Sequence, residues 1–368
     1  VSLAQVLEST TKLEGDGLES LSLGLSGGLD SRVLLAAALK NQRLNLHTWG
    51  PPGTADASVA QQIARVVEPT HSLFWESLPG QEDCIDLVKG HMAKTAVVAP
   101  ASSALHLRFY PRLHEQRKTL IDGGFGEIIR RGYHRRLLLR NPEAITNKEA
   151  AEVTPFLRAG RADLFNHQVR QEMEDGLHEE VQEVLDGLPD YILQDPKNAA
   201  DLLAIRTRLP NFFGREQTRL DEYVPNYMPY AQPTVLEKVF SIPSDMRSGA
   251  KLASQIVRER APQLRQIPLA QGNTTIPYRM PELMGHLWGR IKRKLGLTYR
   301  DPERDAFLDR VKEWAQDRVR SRAVREYPLY DYPKIRKLVD EYYGGDKEDG
   351  SELDWWIAFD CWREKLGS

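Results

Sequence analysis

Six residues near the start of the chain, Ser26-Gly27-Gly28-Leu29-Asp30-Ser31, have the types and spacing to hold an anion. Two glycines let the backbone turn sharply and bring its N–H groups close to a ligand. Ser26 and Ser31 add hydroxyl donors, and the start of a following helix adds partial positive charge. An oligophosphate suits such a nest. Asp30 would repel a bare phosphate, so the pattern points to a bridging divalent cation. The stretch is not a Walker A loop, which needs Gly-Lys-Ser/Thr after four intervening residues. An apolar run (Leu21, Leu23, Leu25) precedes the turn, and a Leu/Ala-rich amphipathic segment follows from Arg32, so the context reads strand, turn, helix.

A second glycine turn, Asp122-Gly123-Gly124, follows a strand signal at Lys118 to Ile121. Between the two turns, strand and helix signals alternate. Leu44 to Trp49 reads as a strand running into Gly50-Pro51-Pro52-Gly53, Ala57 to Val67 as a helix, Thr70 to Trp75 as a strand and Ala104 to Leu113 as a helix. Such alternation predicts an α/β fold, with a parallel sheet flanked by helices on both faces. Ligands of such sheets sit at the carboxyl ends of the strands, so both turns are expected to face one pocket. After Tyr133 strand signals nearly vanish. Helices are expected at 162–188, 199–209, 234–240, 251–260, 305–322 and 353–365. The expected organisation is a nucleotide-binding domain over residues 1–135 and a mostly helical substrate domain over 136–368.

With 368 residues, 41% of them hydrophobic and 28% charged, the chain has the composition of an ordinary globular protein with room for two domains. A formal net charge of −2 gives no general pull toward nucleic acid or anionic membrane. The basic run Arg290 to Arg304 reads as a solvated face or a mobile loop. Cys84 and Cys361 match no metal spacing and read as reduced core residues, which suits a cytoplasmic protein. No run of about 18 apolar residues predicts a membrane span. No signal peptide is visible, and a start at Val1 rather than Met is compatible with an excised or processed piece.

The first turn resembles the SGGxDS loop (PP-loop) of the ATP pyrophosphatases, which bind ATP and release pyrophosphate while adenylating an oxygen. Paired with Leu120-Ile121-Asp122-Gly123-Gly124-Phe125-Gly126-Glu127-Ile128-Ile129-Arg130-Arg131-Gly132-Tyr133, it resembles the synthetase domain of asparagine synthetase B. That family includes β-lactam synthetases and lasso-peptide cyclases. Its second motif reads roughly Ser-Gly-Glu-Gly-x-Asp-Glu-x-Phe-Gly-Gly-Tyr, against which Gly123, Gly132 and Tyr133 match. Met228-Pro229-Tyr230, Ile256-Val257-Arg258-Glu259, Ala261-Pro262-Gln263-Leu264 and the Trp355 to Trp362 segment are similar to later family segments. The resemblance implies an adenine nucleotide α-hydrolase-like fold. It also implies an ATP site made of Leu25, Ser26, Gly27, Gly28, Asp30, Ser31, Trp49, Gly50, Asp122 and Gly123, with adenine near Leu25 and Trp49. Glu127 falls where the family places its second magnesium-binding Asp, so Mg²⁺ is expected between Asp30 and Glu127.

Three departures stand out. The family's acidic or Tyr residue that serves the acceptor falls on Gly124. The acidic residue before the family's Arg-x-Pro-Phe falls on Pro225. A family lysine expected within Arg265 to Gly272 is missing, and Arg265, Arg215 or Arg219 is expected to take over its charge-neutralising role as pyrophosphate leaves.

The resemblance therefore implies an AMP- and pyrophosphate-forming ligase that adenylates a small-molecule carboxylate and passes it to an amine. The family's glutamine-hydrolysing members carry an N-terminal Cys nucleophile, and neither cysteine here is placed for that. Ammonia, a separate glutaminase partner or the substrate's own amine is the expected nitrogen source. Two rival classes share the loop. A tRNA-modifying enzyme would show a basic surface, which the charge balance argues against. A degenerate nucleotide-binding scaffold would explain the missing lysine and Gly124.

Overall fold

The computed structural model describes residues 2–12, 20–41, 44–94, 97, 99–157, 164–271, 274–278 and 301–366. The chain divides into two compact units, both discontinuous. The first holds Val1–Glu76, Phe109–Arg135 and Arg208–Arg300; the second holds Ser77–Arg108, Arg136–Thr207 and Asp301–Ser368. One segment of the first unit ends at Arg135. Residues 208–300, however, fold with the sheet rather than with the helical part, and residues 77–108 leave it.

The first unit is built on a five-stranded parallel sheet in the order β3-β2-β1-β4-β5. The strands are β1 Ser20–Gly24, β2 Leu44–Trp49, β3 His71–Phe74, β4 Lys118–Ile121 and β5 Asn226–Tyr227. β1 is central, pairing Leu23 with Leu46 on one side and with Ile121 on the other. Leu21, Leu23, Leu46 and Ile121 are buried, as a sheet covered on both faces requires. Helices α1 (Leu3–Thr10), α2 (Leu29–Ala38) and α3 (Ala55–Ala64) belong to this unit, and the helix Lys251–Arg260 packs along α2. β5 has two residues, too few to show a periodicity, and it joins the segment after Arg208 to the sheet through β4. An antiparallel pair, β6 (Leu269–Gln271) and β7 (Thr274–Ile276), completes the unit's strands among the described residues.

The second unit is helical. Its core gathers Leu137, Ile145, Val153, Val181, Leu185 and Leu203. The expected helix at 162–188 is found as His167–Asp186, and that at 305–322 is divided into Pro302–Arg310 and Lys312–Arg320. The helix Gln81–Met92 was not expected. Of the expected helix 104–113, this unit holds only the short helix Ala104–Leu107; a separate helix, Tyr110–Glu115, lies in the first unit, with Pro111 in its first turn, where a missing N–H costs nothing. In the last helix, Gly350–Leu366, Trp356 is buried, and the buried Asp360 carboxylate accepts from Arg318 at 2.6 Å, Arg363 at 2.6 Å and the Tyr330 hydroxyl at 3.0 Å. Cys84 and Cys361 are buried and not disulfide-bonded. Among the described residues no helix is long and apolar enough to cross a membrane. Most of the basic run at 290–304 lies outside the described residues.

Candidate functional site

The chain leaves β1 for β2 and β3 on one side and returns to β4 on the other, so the order of strands reverses between β1 and β4. Both glycine turns lie at the carboxyl ends of those two neighbouring strands, the crevice where open α/β sheets bind ligands. The turns touch. A Cβ at Gly123 would lie 3.7 Å from Ser31 Cα, an ordinary contact. A Cβ at Gly126 would stand 2.5 Å from Asp30 Cβ and 3.0 Å from Tyr230 Cε2, so only glycine fits there. The buried Tyr230 donates its hydroxyl to the Asp30 carbonyl at 2.8 Å, fixing the first turn from the other side.

Inside the first turn the two serines work on each other. Ser26 N–H donates to Ser31 Oγ at 3.1 Å, the two hydroxyls lie 2.9 Å apart, and Gly28 N–H donates to Ser26 Oγ at 3.2 Å. Gly28 caps α2 with no side chain of its own. A Cβ there would meet Ser26 Oγ at 3.2 Å and, among the described residues, nothing else within 4 Å. Gly27 is different. A Cβ on it would lie 2.4 Å from Ala270 Cβ, and Ala270 N–H donates to the Gly27 carbonyl at 2.9 Å. Its missing side chain thus admits the β6–β7 pair rather than a ligand. Its N–H donates to the Asp56 carboxylate at 2.9 Å, so one donor of the nest is already occupied by an anion of the chain.

The second turn is strained. Phe125, Arg131 and His134 have φ of 63°, 59° and 52°, left-handed values that cost a non-glycine residue on the order of 1 kcal/mol each. Phe125 is held by stacking on Tyr133 at 4.9 Å and by an edge contact with Phe213 at 5.3 Å. A Cβ at Gly124 would lie 3.2 Å from Phe213 Cδ1 and 3.3 Å from Met228 Cε, so a side chain there would press on both. Asp122 accepts from Gly124 N–H at 2.9 Å and from Gln217 Nε2 at 2.8 Å, and burial pushes its carboxyl above the ordinary range.

Asp30 and Glu127, expected to share Mg²⁺, do converge, but on a guanidinium. Arg130 Nε donates to Asp30 Oδ1 at 2.9 Å and its Nη2 to Asp30 Oδ2 at 3.1 Å. The same Nη2 reaches Glu127 Oε1 at 3.3 Å. Both oxygens of Asp30 are engaged, and their charge is matched by a cation of the chain itself. The donor set as it stands does not fit a resident divalent ion, which would compete with Arg130 for the same oxygens. Among the described residues no group of three or more His, Cys, Asp or Glu side chains is gathered for a metal.

Trp49 stands in an aromatic cluster, stacked on Phe109 at 5.5 Å and tilted against Phe74 and Tyr110, each at 4.8 Å. Leu25 is buried, its N–H donating to His47 O at 2.7 Å, and Gly50, with φ 115°, turns the chain out of β2. Beneath them burial holds the His47 imidazole neutral, its pKa pushed down to about 3. Of the three arginines, Arg219 is buried and ion-paired with Glu216, whose carboxyl burial pushes up. Arg215 opens the helix Arg215–Asp221. Arg265 lines a cavity of about 420 Å³ with Gln266, Pro268, Thr275, Pro277 and Tyr278.

Sequence reasoning missed Arg32, whose position at the head of an amphipathic stretch gave no signal of its role. Its side chain is buried and donates to the carbonyls of Leu264 at 3.0 Å, Ile267 at 2.8 Å and Pro268 at 2.7 Å. It ties the Leu264–Pro268 segment to the first turn of α2. Burial pushes its pKa down to about 10, still well above neutrality, so the clamp stays charged. Arg130 and Asp56 were missed as well, because a bridge formed across 100 residues and an N–H contact across 29 leave no local pattern. In comparison with known proteins, neither a family model nor a curated protein matches this chain.

Proposed function

We propose that the first unit binds ATP, with its triphosphate over the Ser26–Ser31 turn, and that the chain is an AMP- and pyrophosphate-forming amide ligase. The observation that carries this reading is the contact between the two glycine turns at the strand-order reversal, with Gly126 seated against Asp30. Such a crevice offers backbone donors, paired hydroxyls and the start of α2 to an anion, and adenylyl transfer is largely a matter of positioning and charge. A substrate carboxylate oxygen would attack the α-phosphorus, the bond to the β-phosphate would break and pyrophosphate would leave. An amine would then attack the acyl carbon, forming the amide and releasing AMP. Leu25 and Trp49 are proposed to flank adenine, and Arg265, which lines a cavity with Pro268 and Tyr278, is proposed to meet leaving charge. Two buried thiols, with Cys361 pushed up to about 12 by burial, suit a reducing cytoplasmic setting.

A second reading, nucleotide binding without turnover, is favoured by the space filled at Gly124 and by Asp56 on the Gly27 N–H. One assay separates them. Purified protein is given ATP, MgCl₂ and a panel of amino acids and other carboxylates with ammonia or amines, and pyrophosphate and AMP are measured together. Equal amounts of both, dependent on an acceptor, support the ligase. ATP binding by calorimetry with no pyrophosphate from any pair supports the scaffold, and no ATP binding sinks both.

A further inference from the structure

We infer that Arg130 is a built-in cation that occupies the divalent-metal position of this site and excludes the ion from it. The inference rests on the Asp30–Arg130–Glu127 bridge and not on whether a nucleotide binds.

Three observations converge. First, the bridge is two-sided: Nε and Nη2 engage both oxygens of Asp30, and the same Nη2 reaches Glu127 across from it. A planar guanidinium makes such forked contacts with a carboxylate where lysine could offer only a point charge. Second, the backbone holds Arg130 in place. It ends the short helix Gly126–Arg130, between the left-handed residues Phe125 and Arg131, and Gly132 N–H closes back on the Glu127 carbonyl at 3.0 Å. Third, neighbouring residues fix the partners. Gly126 leaves room for the Asp30 side chain, Tyr230 holds the Asp30 carbonyl, and a Cβ at Gly132 would lie 3.0 Å from Glu127 Cβ, so that glycine leaves room for the Glu127 stem.

Removing the guanidinium would leave two carboxylates facing one space, an arrangement that recruits a hard divalent cation through oxygen ligands. In the native chain the same pair retains a fixed positive charge that no chelator can strip. Arg130 therefore makes this centre independent of metal, and anion binding beside it is governed by a side chain rather than by Mg²⁺ supply.

The test titrates Mn²⁺, in the absence of nucleotide, into the full chain and follows free ion by electron paramagnetic resonance. Wild type, Arg130→Met and Arg130→Met combined with Asp30→Asn are compared, with circular dichroism to establish folding. The wild type is expected to take up no ion in the sub-millimolar range. Arg130→Met should bind one ion at least about tenfold more tightly than wild type, as expected when a carboxylate pair is released from an internal cation. The double variant should lose it. Should Arg130→Met not fold, Arg130→Gln replaces it, since it keeps a donor without the charge. If wild type itself binds one ion in this range, or if wild type and Arg130→Met behave alike, the inference is wrong. A second arm measures ATP affinity with Mg²⁺ and with EDTA: equal affinity in wild type supports the inference, and a large loss in EDTA opposes it. If ATP does not bind at all, the nucleotide reading falls, while the Mn²⁺ titration still decides the role of Arg130.

Discussion

A Cβ at position 126 would stand 2.5 Å from the Cβ of Asp30, closer than side chains approach one another in folded proteins. The two turns are in contact because that atom is missing. Gly126→Ala must push them apart, at a cost of about 1–3 kcal/mol for the overpacking. Chemical denaturation should show the loss, and ATP affinity should fall with it. Gly90→Ala is the control. Among the described residues its Cβ meets nothing within 4 Å in the helix Gln81–Met92, and it should stabilise by roughly 0.5–1 kcal/mol.

Gly27 and Gly28 should separate packing from ligand approach. Gly27→Val collides with Ala270 and should lower the melting temperature by displacing β6. Gly28 has φ −77°, which valine accepts, and among the described residues its Cβ would press only on Ser26 Oγ, a side-chain atom that can give. Gly28→Val should keep the melting temperature and weaken ATP binding by about tenfold or more, the loss of one or two charge-assisted contacts. Unchanged affinity in a folded Gly28→Val protein would remove the phosphate from this turn.

Asp56 competes with any anion for the Gly27 N–H. Asp56→Ala frees that donor and removes a like charge, so ATP should bind more tightly, by about threefold to tenfold, with the gain largest at low ionic strength. Calorimetry at two salt concentrations reads this directly, and weaker binding would mean that Asp56 shapes the turn instead.

Arg265 and Arg219 should fail differently. Arg219→Ala strands Glu216 beside Asp122 and should destabilise by about 3 kcal/mol, with activity lost only through unfolding. Arg265→Ala should leave stability and ATP affinity in place and lower pyrophosphate release, since the charge it would meet develops as the bond breaks. Equal pyrophosphate release in wild type and Arg265→Ala would return the question of the missing lysine to Arg215.

In the second unit, Asp354 accepts Ser102 N–H at 2.8 Å and Ser102 Oγ at 2.5 Å, and burial pushes its pKa up to about 6. A carboxyl whose pKa is higher in the folded state holds its proton more tightly there. Its contribution is fully present below the unfolded value of 3.8 and is lost as pH rises through about 6. Between those limits wild type should lose up to about 3 kcal/mol relative to Asp354→Asn. Denaturant melts of both proteins across that range test this, and parallel curves would refute it.

Local chemistry made the parallel sheet and both glycine turns legible in the sequence. Alternating strands and helices must form βαβ units, and two glycines after an apolar strand mark the strand's carboxyl end wherever they occur. The pairing of β4 with β1 then brings the turns together. The five-strand sheet was not legible, because β5 has two residues and owes its place to pairing with β4 rather than to any period of its own. Tertiary structure alone decided what fills the site. Asp30 and Glu127 carry the same charge wherever they lie, but whether they meet an ion or Arg130 depends on how the left-handed turn aims one side chain. Gly27 and Gly28 are identical residues in sequence, yet one is covered by Ala270 and the other, among the described residues, meets only Ser26. Periodicity reports which face of a segment is apolar; which distant segment meets that face is set by packing, and packing leaves no mark on the residues next to it in the chain.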